Sequence, residues 1–248
     1  MKINEHIYLI ASGKMGFDWT HPSDCNVYLL HSNDELALID TGTGESVENI
    51  CQHIEMHGFS LDQVTKIFLT HIHADHAGGA EMLRKKTGAK VFVARDAYTI
   101  LRDGNEDKID LTTAKQNGFY PVNYKFTPCK ADTLISDGDH FHVGSLTLQA
   151  IDTPGHSAYD VSFLVQSVAG HSFLFSGDTV FYDGKISMLY THDFQLHSLQ
   201  KSIDKLANYQ VDLLLPGHYQ PALSNAKHHL KIAQNAFSSM NIPKNIVE

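Results

Sequence analysis

Six consecutive residues, His71-Ile72-His73-Ala74-Asp75-His76, set three imidazoles and a carboxylate at the end of the apolar run Lys66-Ile67-Phe68-Leu69-Thr70. Imidazole and carboxylate are ligands for divalent metals, and so dense a cluster is hard to explain as scaffolding. On an extended segment, alternation points residues 71, 73 and 75 to one side, and a turn after the strand swings His76 round to join them. That is half of a metal site. The remainder is found after three later apolar runs. Thr153-Pro154-Gly155-His156-Ser157 follows the run ending at Ile151, Ser176-Gly177-Asp178-Thr179 the run ending at Phe175, and Pro216-Gly217-His218 the run ending at Leu215. In each, glycine lets the chain turn sharply and leaves a polar side chain just past a sheet edge, where active sites collect. His71, His73, Asp75, His76, His156, Asp178 and His218 are donors enough for two adjacent divalent ions. A thiolate-free set of this kind suits zinc, with iron or manganese as alternatives. Of the other histidines, His140 and His142 read as an exposed strand face, and His228-His229 as solvated positions on two faces of a helix.

The elements that must position these donors alternate along the chain. His6 to Ala11, Asn26 to His31 and Glu35 to Asp40 read as a meander of strands broken by turn chemistry such as Ser32-Asn33-Asp34. A glycine loop and a helix follow, with Val47, Ile50, Cys51 and Ile54 on one face and Gly58 placed to end it. Strand 66–70 leads into the histidine cluster, then a helix from about Gly79 to Lys86 and a strand over Lys90 to Ala94. Residues 96–132 carry turn-rich and aromatic stretches, including Phe119, Tyr120, Tyr124 and Phe126, and read as a lid, a substrate wall or a surface insertion. Strands return at Ser145 to Ile151, at Val161 to Gln166, and at His171 to Phe175, the last two joined by Ser167-Val168-Ala169-Gly170. A helix near Phe194 to Asn208, a strand over Val211 to Leu215 and a helix from Asn225 to about Met240 complete the pattern.

Composition bounds the partners. The 248 residues carry a net charge of −9 with 42% hydrophobic and 19% charged residues, an ordinary balance for a chain with a sizeable core. Apart from Arg84-Lys85-Lys86, which reads as a solvated helix end, no cluster of Lys and Arg suited to phosphate is seen, so nucleic acid is not the expected partner and a small-molecule substrate is. Cys25, Cys51 and Cys129 are odd in number and without CxxC spacing, which gives no disulfide framework and fits a reducing compartment. The first twelve residues lack the long apolar core of a signal peptide, and no run approaches the ~20 apolar residues of a membrane span. The expectation is a cytoplasmic protein with no membrane partner.

Taken together, His71-x-His73-x-Asp75-His76, then His156, Asp178 and His218, with Asp40 upstream at a strand end, resemble the metallo-β-lactamase-fold hydrolases over nearly the whole chain. The resemblance implies an α/β fold, a four-layered αββα metallo-β-lactamase sandwich formed by residues 1–248 as a single domain. It assigns His71, His73 and His156 to one ion, Asp75, His76 and His218 to the other, Asp178 to a bridge between them, and Asp40 to a buried carboxylate that orients the metal-bearing loop. It implies a dinuclear hydrolase in which a metal-bridging hydroxide attacks an ester-type carbonyl of a thioester, lactone or ester, with Asp75 orienting the water and passing a proton to the leaving group. Asp178 stands where one class of exported β-lactamases has cysteine, and His73 where flavodiiron members have Glu, which argues against both of those roles. Ser176-Gly177-Asp178-Thr179-Val180-Phe181 resembles the Gly-Asp-Thr-x-Phe stretch of glyoxalase-II-like thioesterases, with Lys185 near a substrate carboxylate. The alternative is an acyl-homoserine-lactone lactonase, similar through His73-Ala74-Asp75-His76-Ala77-Gly78-Gly79. Lactonases carry a carbonyl-binding Tyr three residues past the bridging Asp, where this chain has Phe181 and then Tyr182. Phe181, Tyr182 and Lys185 are thus the candidate substrate contacts. A mononuclear-iron sulfur dioxygenase uses the same fold and similar first ligands, and is the alternative of another class.

Overall fold

The computed structural model describes residues 1–166 and 170–246, so the turn expected through Ser167-Val168-Ala169 lies outside the described residues. The chain divides into two compact units. The first comprises Met1–Ile135 and a short tip, Val143–Ser145; the second comprises Ser136–His142 and Leu146–Glu248.

The first unit holds six strands, β1 (Ile7–Ala11), β2 (Val27–Ser32), β3 (Glu35–Ile39), β4 (Val64–Phe68), β5 (Lys90–Ala94) and β6 (Thr133–Ile135), paired in chain order. β1, β2 and β3 pair antiparallel, as the meander predicts, and every later neighbour pairs parallel. A parallel step needs a crossover. Helix α1 (Val47–Met56) supplies the first, burying Val47, Ile50, Cys51 and Ile54, and Gly58 ends it at a φ of +85°. Helices α2 (Ala74–Ala77) and α3 (Ala80–Thr87) supply the second. The third is made by α4 (Tyr98–Asp103) and α5 (Leu111–Gln116), within the stretch that is least legible as sequence. Each of those two short helices buries a single leucine, Leu101 and Leu111, too little periodicity to announce a helix.

The second unit holds β7 (His140–Val143), β8 (Leu146–Asp152), β9 (Val161–Gln166), β10 (Ser172–Gly177) and β11 (Leu213–Pro216), in the order β11-β10-β9-β8-β7. β8, β9 and β10 pair antiparallel, and β11 joins β10 in parallel after helix α6 (Leu196–Leu206). Ile151, Leu164 and Leu174 of this sheet pack with Leu199 and Ile203 of α6 and with Leu230 of helix α7 (Ala226–Ser238). Burying each such side chain contributes roughly 1.5–3 kcal/mol, which fixes the strand ends that carry the polar loops. Among the described residues no helix is long and apolar enough to cross a membrane.

Candidate functional site

In the first unit the chain leaves the sheet before it reaches the histidines. β4 stops at Phe68 rather than at residue 70, because the Thr70 N–H donates to Asp40 Oδ1 at 2.8 Å instead of to a neighbouring strand. His71 and His73 therefore lie on a loop and Asp75 and His76 on α2, not on one face of an extended segment. The loop still gathers them. The ring of His71 lies 4.7 Å from that of His73 and 4.0 Å from that of His76, and His76 Nε2 lies 3.6 Å from Asp75 Oδ2.

Asp40, just past β3 in a left-handed conformation with φ of 62°, organises this arrangement from below. Its Oδ2 accepts from the Thr70 hydroxyl at 2.8 Å and from His76 Nδ1 at 2.9 Å. Since a carboxylate only accepts, His76 carries its proton on Nδ1 and presents Nε2 as a lone pair. Thr70, having given its proton to Asp40, accepts from His71 Nδ1 at 3.1 Å, which leaves the Nε2 of His71 in the same state. One buried carboxylate thus sets two imidazole tautomers, the usual work of a group behind a metal ligand.

Cys25 also stands in this group, its sulfur within 4.8 Å of donor atoms of Asp40 and His76. Burial pushes its thiol up to about 12, so it is protonated at neutral pH and is a packing neighbour rather than a thiolate ligand. Burial, and after it the Asp75 charge, hold the Tyr120 phenol well above its ordinary range. Thr70 and Cys25 escape a sequence reading as members of this group, whereas Tyr120 falls in the stretch read as a lid, a substrate wall or a surface insertion. The only available signal was Thr70 standing between a strand and a histidine pair.

The second unit brings its three donors from three strand ends onto one oxygen. His156 Nε2 lies 3.6 Å and His218 Nε2 3.4 Å from Asp178 Oδ2. Both separations exceed a hydrogen bond and match two ligands of one tetrahedral ion with bonds of ~2.0–2.2 Å. The donors of each unit therefore fit a divalent metal. Backbone geometry does most of the placing. Gly155 has a φ of +146°, and a Cβ there would collide with the backbone of Leu199 at the start of α6. Its carbonyl accepts from the Gln195 N–H at 2.9 Å. Ser157 donates to Asp160 through its N–H, at 2.7 Å, and through its hydroxyl; burial pushes the Asp160 carboxyl up to about 8 against these two bonds. The parallel register Phe175↔Leu215 shifts by a residue at Gly177↔Pro216, and the Gly217 N–H donates to the Gly177 carbonyl at 2.8 Å, which sets the Asp178 and His218 turns side by side.

The three candidate substrate contacts are separated by their surroundings. Phe181 is fully buried, its ring 6.4 Å from that of His218. Tyr182 is 37% exposed and packs its ring 4.4 Å from His229. Lys185 places its ammonium 4.8 Å from the ring centre of Tyr219. His229 is not solvated, contrary to the sequence expectation. It is buried, and its Nδ1 accepts from the Asp183 N–H at 3.0 Å, because the turn 182–184 covers that face of α7.

With this geometry in hand, comparison with known proteins gives the class. The profile of the Metallo-beta-lactamase superfamily matches residues 21–218, and the chain belongs to that family. It is similar to the atrochrysone carboxyl ACP thioesterase of Aspergillus fumigatus, 27% identical over 195 residues that make up 78% of this chain and 50% of that protein. It is also similar to the hydroxyacylglutathione hydrolase of Albidiferax ferrireducens, 28% identical over 163 residues, 65% of this chain and 50% of that protein. The chain spans about half the length of these curated relatives. Among solved structures, a β-lactamase from Chitinophaga pinensis superposes with a TM-score of 0.72 at 21% identity, covering 97% of this chain and 91% of that one. The two-sheet α/β architecture is therefore the fold of the metallo-β-lactamases.

Proposed function

We propose that this protein is a metal-dependent hydrolase of ester-type carbonyls, with thioesters as its substrate class, and that residues 1–248 act as a single metallo-β-lactamase domain. The observation that carries the reading is the pair of donor sets. One unit clusters His71, His73, Asp75 and His76 with ring separations of 4.0 and 4.7 Å, and the other converges His156 and His218 on one oxygen of Asp178. The family profile, running from residue 21 to 218, includes both sets, which supports the assignment of His71, His73 and His156 to one ion, Asp75, His76 and His218 to a second, and Asp178 to both.

Divalent ions held there, zinc first and iron or manganese after it, supply Lewis acidity and lower the pKa of a bound water from 15.7 to about 7. The protein's own part is preorganisation. Asp40 and Thr70 fix the imidazole tautomers before any ion arrives, and Asp75 stands ready to take a proton and return it to the leaving group. Thioesters are favoured over lactones because a thioesterase is among the relatives, and because Phe181 occupies the place of the lactonase tyrosine and is buried. The test is a hydrolysis panel of thioesters, lactones and aryl esters with zinc, iron and manganese, together with oxygen uptake on a persulfide. Thioester cleavage that vanishes on metal stripping and returns with metal is the expected result. Full activity in a stripped sample would overturn the metal reading, activity confined to lactones the thioester reading, and persulfide-dependent oxygen uptake with iron the hydrolase reading.

A further inference from the structure

The metal reading leaves the buried His229 of α7 unused. Its Nδ1 accepts from the Asp183 N–H at 3.0 Å, and its ring lies 4.4 Å from that of Tyr182. The turn it meets is closed on itself, with the Phe181 N–H donating to the Lys185 carbonyl at 2.9 Å and the Gly184 N–H to the Phe181 carbonyl at 3.1 Å. Between them Asp183 is left-handed, with a φ of 63°, a conformation that a side chain keeps only where its surroundings impose it. Helix α7 supplies those surroundings. A Cβ on Gly184 would stand 2.7 Å from the Ala233 nitrogen, so the turn lies against the helix backbone at Gly184 and against His229 at Tyr182 and Asp183. Beyond the turn the Ile186 N–H donates to the Lys244 carbonyl and the Ile246 N–H to the Ile186 carbonyl, each at 2.9 Å. A backbone N–H can only donate, so His229 carries its proton on Nε2 and keeps Nδ1 as a lone pair. A second proton on the ring would set N–H against N–H. The titratable groups that act on the ring are Asp183 on the turn and His228 on α7 itself, whose ring lies 5.8 Å away, with Tyr182 packed against it. Burial, and after it a charge on His228, hold His229 below its ordinary value of 6.5, and Asp183 works against them.

We propose that His229 is a positioning residue for the substrate: while its ring is neutral, its Nδ1 and its contact with Tyr182 hold the 182–185 turn, and with it Tyr182 and Lys185, in the shape that receives the thioester. The effect on substrate rests on the hydrolase reading; the hold on the turn does not. The sign with pH follows from the bond. Above 6.5 the lone pair is present and the turn is fixed. As pH falls below 6.5 toward the lowered folded value, the ring takes a proton, the Asp183 N–H loses its acceptor and the turn is released.

The experiment compares wild type, His229→Asn and His229→Phe between about pH 7.5 and about pH 5.5. Asn keeps an oxygen acceptor near the place of Nδ1 and does not titrate, whereas Phe keeps a ring against Tyr182 and has no acceptor. Two quantities are read: protection of the Asp183 amide from hydrogen exchange with no substrate present, and KM and kcat on the best thioester of the panel. At about pH 7.5, wild type and His229→Asn are expected to protect the amide equally and to share one KM, while His229→Phe loses the protection and raises KM by about 2–10-fold, the worth of one hydrogen bond, with kcat changed less than about two-fold. On acidification the wild type is expected to move toward His229→Phe in both quantities while His229→Asn does not. Metal loss in acid strikes all three alike, so the difference between wild type and His229→Asn is the signal. Equal Asp183 protection in all three proteins, a wild type and a His229→Asn that lose protection together in acid, or an unchanged KM in His229→Phe would each overturn the proposal. If His229→Phe does not fold, the pH comparison of wild type with His229→Asn decides alone. A wild type that hydrolyses nothing in the panel overturns the hydrolase reading instead, and amide exchange still decides whether His229 holds the turn.

Discussion

The two donor-bearing regions reach similar chemistry by opposite routes. In the first unit four donors sit within six residues and are aimed by other side chains, chiefly Asp40 on Thr70 and His76 and Thr70 on His71. In the second unit single donors from three strand ends are aimed by the main chain, through the turn at Gly155, the register shift at Gly177 and Pro216, and the bond from Gly217 to Gly177. Side-chain aiming separates ligand geometry from fold stability, whereas backbone aiming makes them one property. Substitutions in the first region should therefore cost chemistry before stability, and those in the second should cost stability first.

The sharpest way to break that contrast is Gly155→Ala. Its φ of +146° and the Leu199 backbone in the path of a Cβ predict a loss of about 3 kcal/mol or more, read as a lower urea midpoint at unchanged slope. An unchanged midpoint would mean that the main chain does not set this turn. Asp40→Ala comes next. It leaves the buried Thr70 N–H without its acceptor, at about 1–3 kcal/mol, and releases two imidazole tautomers, lowering zinc retention and kcat by about 10–100-fold. If the loss in the urea midpoint equals that of Gly155→Ala while zinc retention is untouched, the distinction between the regions fails.

The smallest effect concerns the first unit alone. Burial holds Cys25 and Cys129 at about 12 against an ordinary value of 9.0. A thiol whose pKa is raised by folding supports the native state fully below 9.0 and loses that support as pH rises toward 12. Stability should therefore fall above pH 9.0, and Cys25→Ala should flatten the fall in a series of urea midpoints. All three buried thiols should also resist alkylation at neutral pH until the protein is unfolded.

The same contrast explains what could be read from the residues alone. The dense motif was legible because its members are contiguous, and β5 and β9 matched their expected bounds because both are short β-branched and aliphatic runs between clear breaks. The end of β4 was misplaced because propensity extends the strand through Leu69 and Thr70, while the deciding interaction is a side chain thirty residues upstream. Tyr124 was invisible as an anchor for a similar reason: its partner Thr43 is 81 residues away. His229 read as solvated because a helical face is assigned from its own period, whereas its cover is the 182–184 turn. Long-range polar contacts between ordinary-looking residues carry no local pattern, and α4 and α5, with one buried leucine each, offer too little apolar periodicity to be read as helices.

The tip Val143–Ser145 belongs with the first unit although β7 and β8 on either side belong largely to the second. There the Gly144 N–H donates to Glu35 Oε2 at 2.7 Å and the Ser145 N–H to Ser32 Oγ at 3.0 Å. Neither unit is therefore a continuous stretch of chain. A gene split at residue 135 would yield one fragment lacking its tip and another carrying a tip that belongs elsewhere. Splitting, permuting or swapping halves with another family member must keep this loop with the first unit.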